Sequence, residues 1–345
     1  MTNTILPAAD ASLLAQQADE ISTFLDHYIP AGSRVALLQF PYDGNVGMHM
    51  MWLAINDYLE ARGVDIAYAA HEWNFNISDM ISAVGDGAIL FIGGVTVSRL
   101  WPGHAKVKRM VAAACPDNRL ISLPSTMLFV DDDDRREAGA IFGDHRDVVL
   151  MARDPVSAES ALEVFPPHIS IPAIHDTTFL LPPQPRKTDP DAHDVLWLAR
   201  DDEEGAGFRP PAEVKVFDWP DLNMTAPSVL MGRACSRFRR SVPLFRSKAN
   251  AAVRQSYKAI SQYVLSTGNR TLDTGRVLVT DRLHPHVLTM LRAQPSVLLP
   301  DRFGKNRAVW EYSSRAYSTV HWADTAEQAL EIASALAVAE RKGEG

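Results

Sequence analysis

The chain has 345 residues, of which 46% are hydrophobic, so it is long enough for two domains of ordinary size. Its formal net charge of −8 argues against nucleic acid as a partner, and its two cysteines are too few for a disulfide framework. No signal-peptide pattern and no apolar run of roughly 18 residues is present, so we expect a cytoplasmic protein.

The first elements in chain order predict a helix, a strand, a loop and a second helix. Residues 10–28 carry apolar side chains at helical spacing, and residues 34–40 (RVALLQF) form a buried type of strand. A glycine-bearing loop at 41–47 follows, before a helix over about 48–61. This order is typical of the anion-binding turn of an α/β domain, although a tight structural turn explains it equally well.

Four more short apolar runs predict further strands of the first half, at residues 64–68, 88–92, 120–123 and 148–151. Gly93 and Gly94 follow one of these strands, and Ser125 follows the next. The two glycines allow either close approach of the backbone to a ligand or a tight turn.

A proline-rich linker at residues 181–193 divides the chain into predicted domains at 1–185 and 194–345. The second domain opens with a strand that ends in Arg200 and several acidic residues, which either bind an anion or form surface ion pairs. A final helix at 325–341 has a face of alanines suited to close packing, with the N-terminal domain as one candidate surface.

The segment from residue 222 to 272 contains nine Arg and Lys residues and no Asp or Glu. Charge of one sign on this scale usually faces an anion, and the interleaved aromatic residues favour a membrane surface reached through Arg233–Lys258. The alternative is a solvated pair of helices whose charge is compensated by acidic side chains elsewhere.

Residues 275–307 predict a strand, a loop, a helix and a second strand, which is the βαβ pattern of an open sheet. Ligands bind beyond the carboxyl ends of such strands, where this chain has Arg282, His284 and His286. The fork of Arg282 suits phosphate or carboxylate, and His284 can move a proton near neutral pH. Lys305 follows the second strand. A surface Arg–Asp pair with His284 packed in a loop is the alternative.

This stretch resembles the signature of the polysaccharide pyruvyl transferase family, through the run Thr280-Asp281-Arg282-Leu283-His284, His286 and the turn Gly304-Lys305-Asn306. Pro285 stands where the family usually has Gly. A second resemblance lies at Gly44-Asn45-Val46-Gly47, where Met48 replaces the usual Asp, and weaker ones lie at Gly93-Gly94, Ser125 and Arg200. The resemblance implies two Rossmann-like α/β domains that face each other across a cleft, as in glycosyltransferase-B-like folds.

The resemblance also implies a reaction. Phosphoenolpyruvate would donate a pyruvyl ketal to two hydroxyls of one sugar, in an exopolysaccharide or cell-surface glycan precursor that is lipid-linked and near the inner membrane face. Arg282, Leu283, His284, Arg200 and Lys305 would bind this donor, with no cofactor and no metal required.

In the same scheme His284 would be the acid, and Asp43 or His286 would be the base, with His49 as another substitute for the missing Asp. Asn45, Gly93, Gly94 and Ser125 would lie on the acceptor side. Two competing functions stay open at this point. One is a nucleotide-sugar glycosyltransferase of the same architecture, and the other is a non-catalytic anion- or lipid-binding relative.

Overall fold

The structure is a computed structural model that describes residues 6–95, 97–210, 214–219 and 246–343. Two parallel sheets organise these residues. The strands of the first sheet are β1 (Arg34–Leu38), β2 (Asp65–Ala70), β3 (Ala88–Phe91), β4 (Leu120–Ser125) and β5 (Val148–Ala152). The strands of the second sheet are β6 (His193–Leu198), β7 (Lys215–Phe217), β8 (Gly275–Thr280), β9 (Ser296–Leu298) and β10 (Val320–Trp322).

Both sheets have the same strand order. The first runs β2-β1-β3-β4-β5 and the second runs β7-β6-β8-β9-β10, and every pairing is parallel. In each sheet the order reverses beside its first strand, so the switch points lie between β1 and β3 and between β6 and β8. The prediction of two Rossmann-like domains that face each other across a cleft is confirmed.

Helices connect the strands and cover the sheets. In the first half they are α1 (Ala8–Tyr28), α2 (Val46–Ala61), α3 (Ile77–Val84), α4 (Pro102–Ala114), α5 (Asp132–Gly139) and α6 (Pro155–Leu162). In the second half the described helices are α7 (Arg246–Asp273), α8 (Leu283–Leu291), α9 (Lys305–Val309) and α10 (Ala326–Gly343).

Alternation along the strands separates the core into layers, because successive strand residues point to opposite faces. Val35 and Leu37 of β1 face a cluster that also holds α1, α2, α7, α8 and one face of the second sheet. Ala36 and Leu38 face a second cluster with α3 and α4. A third cluster joins the outer face of the second sheet to α10. The helices between the two sheets therefore fix how the halves meet.

The helix that joins the halves is α7. It comes from the second half of the chain but packs on α2 and β2 of the first. Its Tyr257 ring stacks on Phe40 with the ring centroids 3.8 Å apart. The predicted domain boundaries therefore stay a prediction, since a large apolar surface of the first half is covered by residues beyond the linker.

The final helix, α10, packs on β6, β8 and β9 of the second sheet. Ala329, Ala333 and Ala337 are buried there, as the alanine spacing predicted for a close-packed face. The suggestion that this helix packs back on the N-terminal domain is wrong, because its small-residue face is already covered by its own sheet.

The described part of the basic segment is compensated by acidic side chains. Lys258 lies 2.7 Å from Asp57 and 2.6 Å from Glu60 of α2, and Arg254 lies 4.0 Å from Glu60. The other basic residues expected to face a membrane, at 233–245, lie outside the described residues. Within the described residues, no helix combines the length and hydrophobicity needed to cross a bilayer.

Candidate active site

The carboxyl ends of both sheets open onto a shared cavity of about 240 Å³. It lies at the two switch points, where ligands bind in open α/β sheets. Side chains of the first half that line it are Tyr42, Asp43, Asn45, Met48, His71, Trp101, His104 and Arg153. Side chains of the second half that line it are Arg200, Asp202, Glu204, Trp219, Arg282, Leu283, His284 and Lys305.

Polar contacts fasten the tips of the second sheet to one another. The Asp281 carboxylate accepts the backbone N–H of Arg200 at 2.8 Å, which ties the end of β8 to the end of β6. The Asn306 amide donates to the carbonyl oxygens of Asp281 and Leu299, at 2.7 and 3.0 Å. Burial raises the pKa of the Asp281 carboxyl, although the Arg200 amide opposes this. Arg200, Arg282 and Lys305 are thereby brought to one edge.

Two of these cations are paired with carboxylates in a forked geometry. Arg282 donates through Nη2 to Asp218 at 2.6 Å, with Nε 2.5 Å from the other oxygen. Arg200 donates through Nε and Nη2 to the two oxygens of Asp202, both at 2.7 Å. Buried charges are stable only when they are paired in this way.

Lys305 completes the cationic group. Its ammonium is buried in contact with Glu204, which also lies 3.1 Å from Arg200. Burial and the neighbouring guanidinium of Arg200 lower the pKa of Lys305 well below its usual value. Every cation on this side therefore has a carboxylate partner, and an anionic ligand would compete with the protein's own carboxylates for the same donors.

His284 is bound by a carboxylate from the other half of the chain. Its Nε2 lies 3.4 Å from Oδ2 of Asp176, and the same oxygen is 3.2 Å from Nη1 of Arg153. Burial would raise the pKa of the Asp176 carboxyl, but the contact with His284 and the charge of Arg153 hold it well below its usual range. The pair joins the two halves at the cavity.

The sequence did not point to Asp176 or Arg153. Asp176 precedes Thr177 and Thr178 and looks like an ordinary turn residue. The one available signal was that Arg153 follows β5 directly, at the same edge of the sheet as the other tips.

His286 does not reach the cavity, and this contradicts its assignment as a base. The ring is buried behind the wall, with Nδ1 3.1 Å from Ser296 Oγ and Nε2 3.1 Å from Ser314 Oγ. Burial lowers the pKa of His286 to about 3. The ring is therefore a neutral hydrogen-bonding element of the core.

The other predicted bases differ in position. Asp43 lies exposed at the cavity, and its Oδ1 accepts the backbone N–H of Asn45 at 3.0 Å. His49 is fully buried, with Nε2 3.0 Å from the Asp43 carbonyl and Nδ1 2.8 Å from Ser261 Oγ. Burial lowers the pKa of His49 to about 4. Asp43 thus keeps access to a substrate, whereas His49 supports the loop.

Of the residues predicted for the acceptor side, some line the cavity and others are buried behind it. Asn45 and Gly94 line the cavity. Gly93 packs so tightly that a Cβ there would lie 2.1 Å from the carbonyl oxygen of Pro124. Ser125 is buried and donates to the Leu123 carbonyl at 2.7 Å. Gly93 and Ser125 therefore act in packing, which corrects their assignment to the acceptor side.

The first half contributes aromatic and imidazole rings that the sequence did not single out. Tyr42, His71, Trp101 and His104 line the cavity on this side, and the centroids of Tyr42 and His71 are 5.5 Å apart. Burial lowers the pKa of His71 to about 4 and that of His104 to about 3. This side of the cavity consequently offers neutral rings beside Asp43 and Arg153, where the other side offers mainly charged groups.

Fold and cavity together define a two-domain α/β protein with a ligand cavity between its domains. The chain is 27% identical over 300 residues to pyruvyl transferase 1 of Schizosaccharomyces pombe, covering 85% of this chain and 72% of that one. It is 22% identical over 290 residues to a Bacillus subtilis protein named provisionally as pyruvyl transferase EpsO, covering 83% and 87%. Both relatives are named as pyruvyl transferases, which supports the resemblance to that family predicted from the motif around Arg282 and His284.

A solved structure of an uncharacterised protein from Klebsiella pneumoniae has a similar fold. The TM-score is 0.53 at 16% identity, with 90% of this chain and 99% of that chain covered. No protein-family model matches the chain.

Proposed function

We propose that this protein transfers a pyruvyl ketal from phosphoenolpyruvate to two hydroxyls of one sugar residue in an exopolysaccharide or cell-surface glycan precursor. The observation that carries the proposal is the meeting of Arg282, His284, Arg200 and Lys305 in one cavity between the halves. Phosphoenolpyruvate carries its phosphate and its carboxylate on the same carbon, so it needs several cations within one small volume.

The chemistry assigns a proton donor to the donor side. In the proposed step His284 gives a proton to the methylene carbon, and the π electrons of the enol form the new C–H bond. The neighbouring carbon becomes electrophilic, and the first sugar hydroxyl adds to it and loses its proton. The C–O bond to phosphate then breaks, and the second hydroxyl adds. Of the two hydroxyl protons, one replaces that given by His284 and the other leaves with phosphate.

Asp43 is the base that we assign to the acceptor hydroxyl. Among the predicted bases it is the one that lines the cavity, since His286 and His49 are buried behind it. It lies at the tip of β1, opposite the cations of the second sheet. A base placed across the cavity from the acid suits an addition to the two ends of one double bond.

The aromatic rings of the first half support a saccharide acceptor. Sugar rings present apolar C–H faces and polar edges, and they stack on aromatic side chains that keep a polar group nearby. Trp101 lines the cavity and is 45% exposed, and Tyr42 and His71 lie on the same side. The proposed acceptor is joined to a membrane lipid, although the basic residues invoked for this lie largely outside the described residues.

The test begins with the donor alone, because binding needs no acceptor. Isothermal titration with phosphoenolpyruvate should show saturable binding that Arg282→Lys weakens, since lysine keeps the charge and loses the fork. Incubation with labelled phosphoenolpyruvate and a panel of oligosaccharides should then release phosphate and add a pyruvyl ketal, as seen by mass spectrometry. His284→Gln is the inactive control.

Parallel incubation with nucleotide sugars separates the competing functions. Transfer of a glycosyl group, with no binding of phosphoenolpyruvate, would make the protein a glycosyltransferase. Binding of phosphoenolpyruvate without turnover on any acceptor would favour the non-catalytic relative.

A further inference from the structure

Asp176 connects the two halves of the chain at the cavity. It belongs to the first half of the chain, at the start of the turn Thr177–Leu180, yet its carboxylate reaches His284 of the second half. Its Oδ1 accepts the backbone N–H and the hydroxyl of Thr178, both at 2.9 Å. Its Oδ2 receives Arg153 and His284. Both oxygens are therefore occupied and the carboxylate cannot rotate freely.

The surroundings of this carboxylate keep it ionised. Asp176 and Arg153 are both almost fully buried, so neither charge is screened by solvent. Arg153 also donates through Nε to Thr126 at 2.7 Å, which fixes the guanidinium. A fixed negative charge beside an imidazole favours a proton on the facing nitrogen, and it stabilises the imidazolium when the second nitrogen is protonated.

The Nδ1 edge of the His284 ring faces a glycine, which has no side chain to cover it. A Cβ added to Gly47, in the first turn of α2, would lie 2.4 Å from Cβ, Cγ and Nδ1 of His284. The ring is thus held between Asp176 and the backbone of Gly47. Nδ1 makes no hydrogen bond to any described residue, so it is the ring nitrogen left for a ligand.

We propose that Asp176 is a positioning residue for His284, which holds the imidazole with a proton on Nε2 and directs Nδ1 toward the substrate. The assignment rests on the proposed function, in which Nδ1–H protonates the methylene carbon of the donor. After that step the ring is neutral, with its remaining proton on Nε2 and shared with Asp176. The acid is therefore built from both halves of the chain, and it is complete only where they meet.

The test is Asp176→Asn, which is nearly isosteric. The asparagine amide can donate to Nε2, which reverses the tautomer and moves the ring proton to Nδ1. We expect kcat to fall by about 10³–10⁴-fold, the loss seen when a carboxylate–histidine pair is broken this way. The Kd for phosphoenolpyruvate should change by less than about threefold, since the cations that bind it are untouched.

A spectroscopic measurement separates this assignment from the proposed function. In protein labelled with ¹⁵N-histidine, the ring signals of His284 are those missing from His284→Gln. The neutral ring should carry its proton on Nε2 in the wild type and on Nδ1 in Asp176→Asn. No donor is needed, so the result stands whether or not phosphoenolpyruvate is the substrate. A wild-type proton on Nδ1, or an unchanged kcat in folded Asp176→Asn, would overturn the assignment.

The matched control is Asp10→Asn. Asp10, in α1, is also a buried carboxylate, and it accepts the backbone N–H and the hydroxyl of Ser318 at 3.0 and 2.8 Å. Asp10→Asn should lower stability and leave kcat and the His284 signals unchanged.

If Asp176→Asn does not fold, Thr178→Val is a second variant, which removes one hydrogen bond from the Asp176 carboxylate. It should lower kcat by about 3–10-fold, and wild-type kcat would then count against the role.

Discussion

The two halves of this molecule share one strand order and differ in what they place at the strand tips. The first half presents Tyr42, His71 and Trp101, all without charge. The second half presents Arg200, Arg282 and other charged groups in tight pairs. The comparison teaches that the repeated fold fixes where a ligand lies, whereas the tip residues decide which part of it each half holds.

The two halves can also be compared in the helices just behind the strand tips. Each half buries a histidine in the helix that follows a central strand, His49 on α2 and His286 on α8. Both rings are hydrogen-bonded to serine hydroxyls, and burial keeps both neutral. Histidines near a cavity can therefore be structural in both halves, whereas His284 lines the cavity and contacts the buried Asp176 carboxylate.

Among the strand-tip residues, the largest expected effect is on the charged side. Arg282→Ala removes the guanidinium at the tip of β8 and leaves the half-buried Asp218 without this partner. We expect kcat/KM for phosphoenolpyruvate to fall by about 10²–10³-fold, as for loss of one preorganised donor at a site of developing charge. Steady-state phosphate release measures it.

Arg302→Ala is the matched control for this prediction. Arg302 lies in the turn after β9 and is exposed, with its guanidinium over the Phe303 ring. Its loss should change kcat/KM by less than about twofold, because an exposed charge contributes little. Equal losses in the two variants would mean that the charge of the whole edge matters rather than the fork of Arg282.

The fold could be predicted from the sequence because buried parallel strands appear as continuous apolar runs. Val277 to Val279 became β8, and the βαβ rule supplied the neighbouring strands. Glycine commonly ends a helix, but α7 continues through Gly268 to Asp273. The glycine instead allows close packing, since a Cβ there would lie 2.9 Å from Val46.

The positions of residues were predictable where the strand tips alone determine them. Arg282, His284, Arg200 and Lys305 all line the cavity in this way, and their roles stay a prediction. The position of Asp176 was not predictable, because a loop of the first half reaches His284 only after the halves pack.

His286 was assigned wrongly for a reason present in the sequence. Since α8 begins at Leu283, residues 284 and 286 differ by about 200° around the helix axis. Two side chains so placed cannot both face one cavity.

The comparison of the two buried histidines gives a prediction about pH. The unfolded chain protonates His286 near pH 6.5, whereas the folded protein does so only near pH 3. Below pH 6.5 the unfolded state therefore binds more protons, and the free energy of unfolding falls as pH falls. Each such histidine contributes a slope of up to about 1.4 kcal/mol per pH unit.

His286→Gln tests this contribution. The free energy of unfolding at pH 7 should drop by about 1–2 kcal/mol through lost hydrogen bonds. Between pH 6.5 and 5, however, the free energy of unfolding should decline less steeply than in the wild type, by the slope that corresponds to about one proton. Urea unfolding at several pH values measures both. His27→Gln, at an exposed position of α1, should leave the slope unchanged. A slope in His286→Gln parallel to the wild type would show that the ring titrates in the folded state.

The smallest expected effect is on the aromatic side of the cavity, formed by the first half. Trp101 is a large apolar side chain that is 45% exposed at the cavity, where it has room to stack on a sugar ring. Trp101→Ala should raise the KM for the saccharide acceptor by about 3–10-fold, corresponding to about 1 kcal/mol of lost stacking. The Kd for phosphoenolpyruvate should stay within about twofold, because the cations assigned to the donor, Arg200, Arg282 and Lys305, belong to the other half.

Met110→Ala is the control, since Met110 is 41% exposed on α4, the helix that Trp101 precedes. It removes a comparable exposed apolar side chain outside the cavity, and it should leave both constants unchanged. A Trp101→Ala variant that weakens phosphoenolpyruvate binding as much as acceptor binding would erase the contrast between the halves. The neutral rings would then belong to the donor site, and the acceptor would have to enter from another side of the cleft.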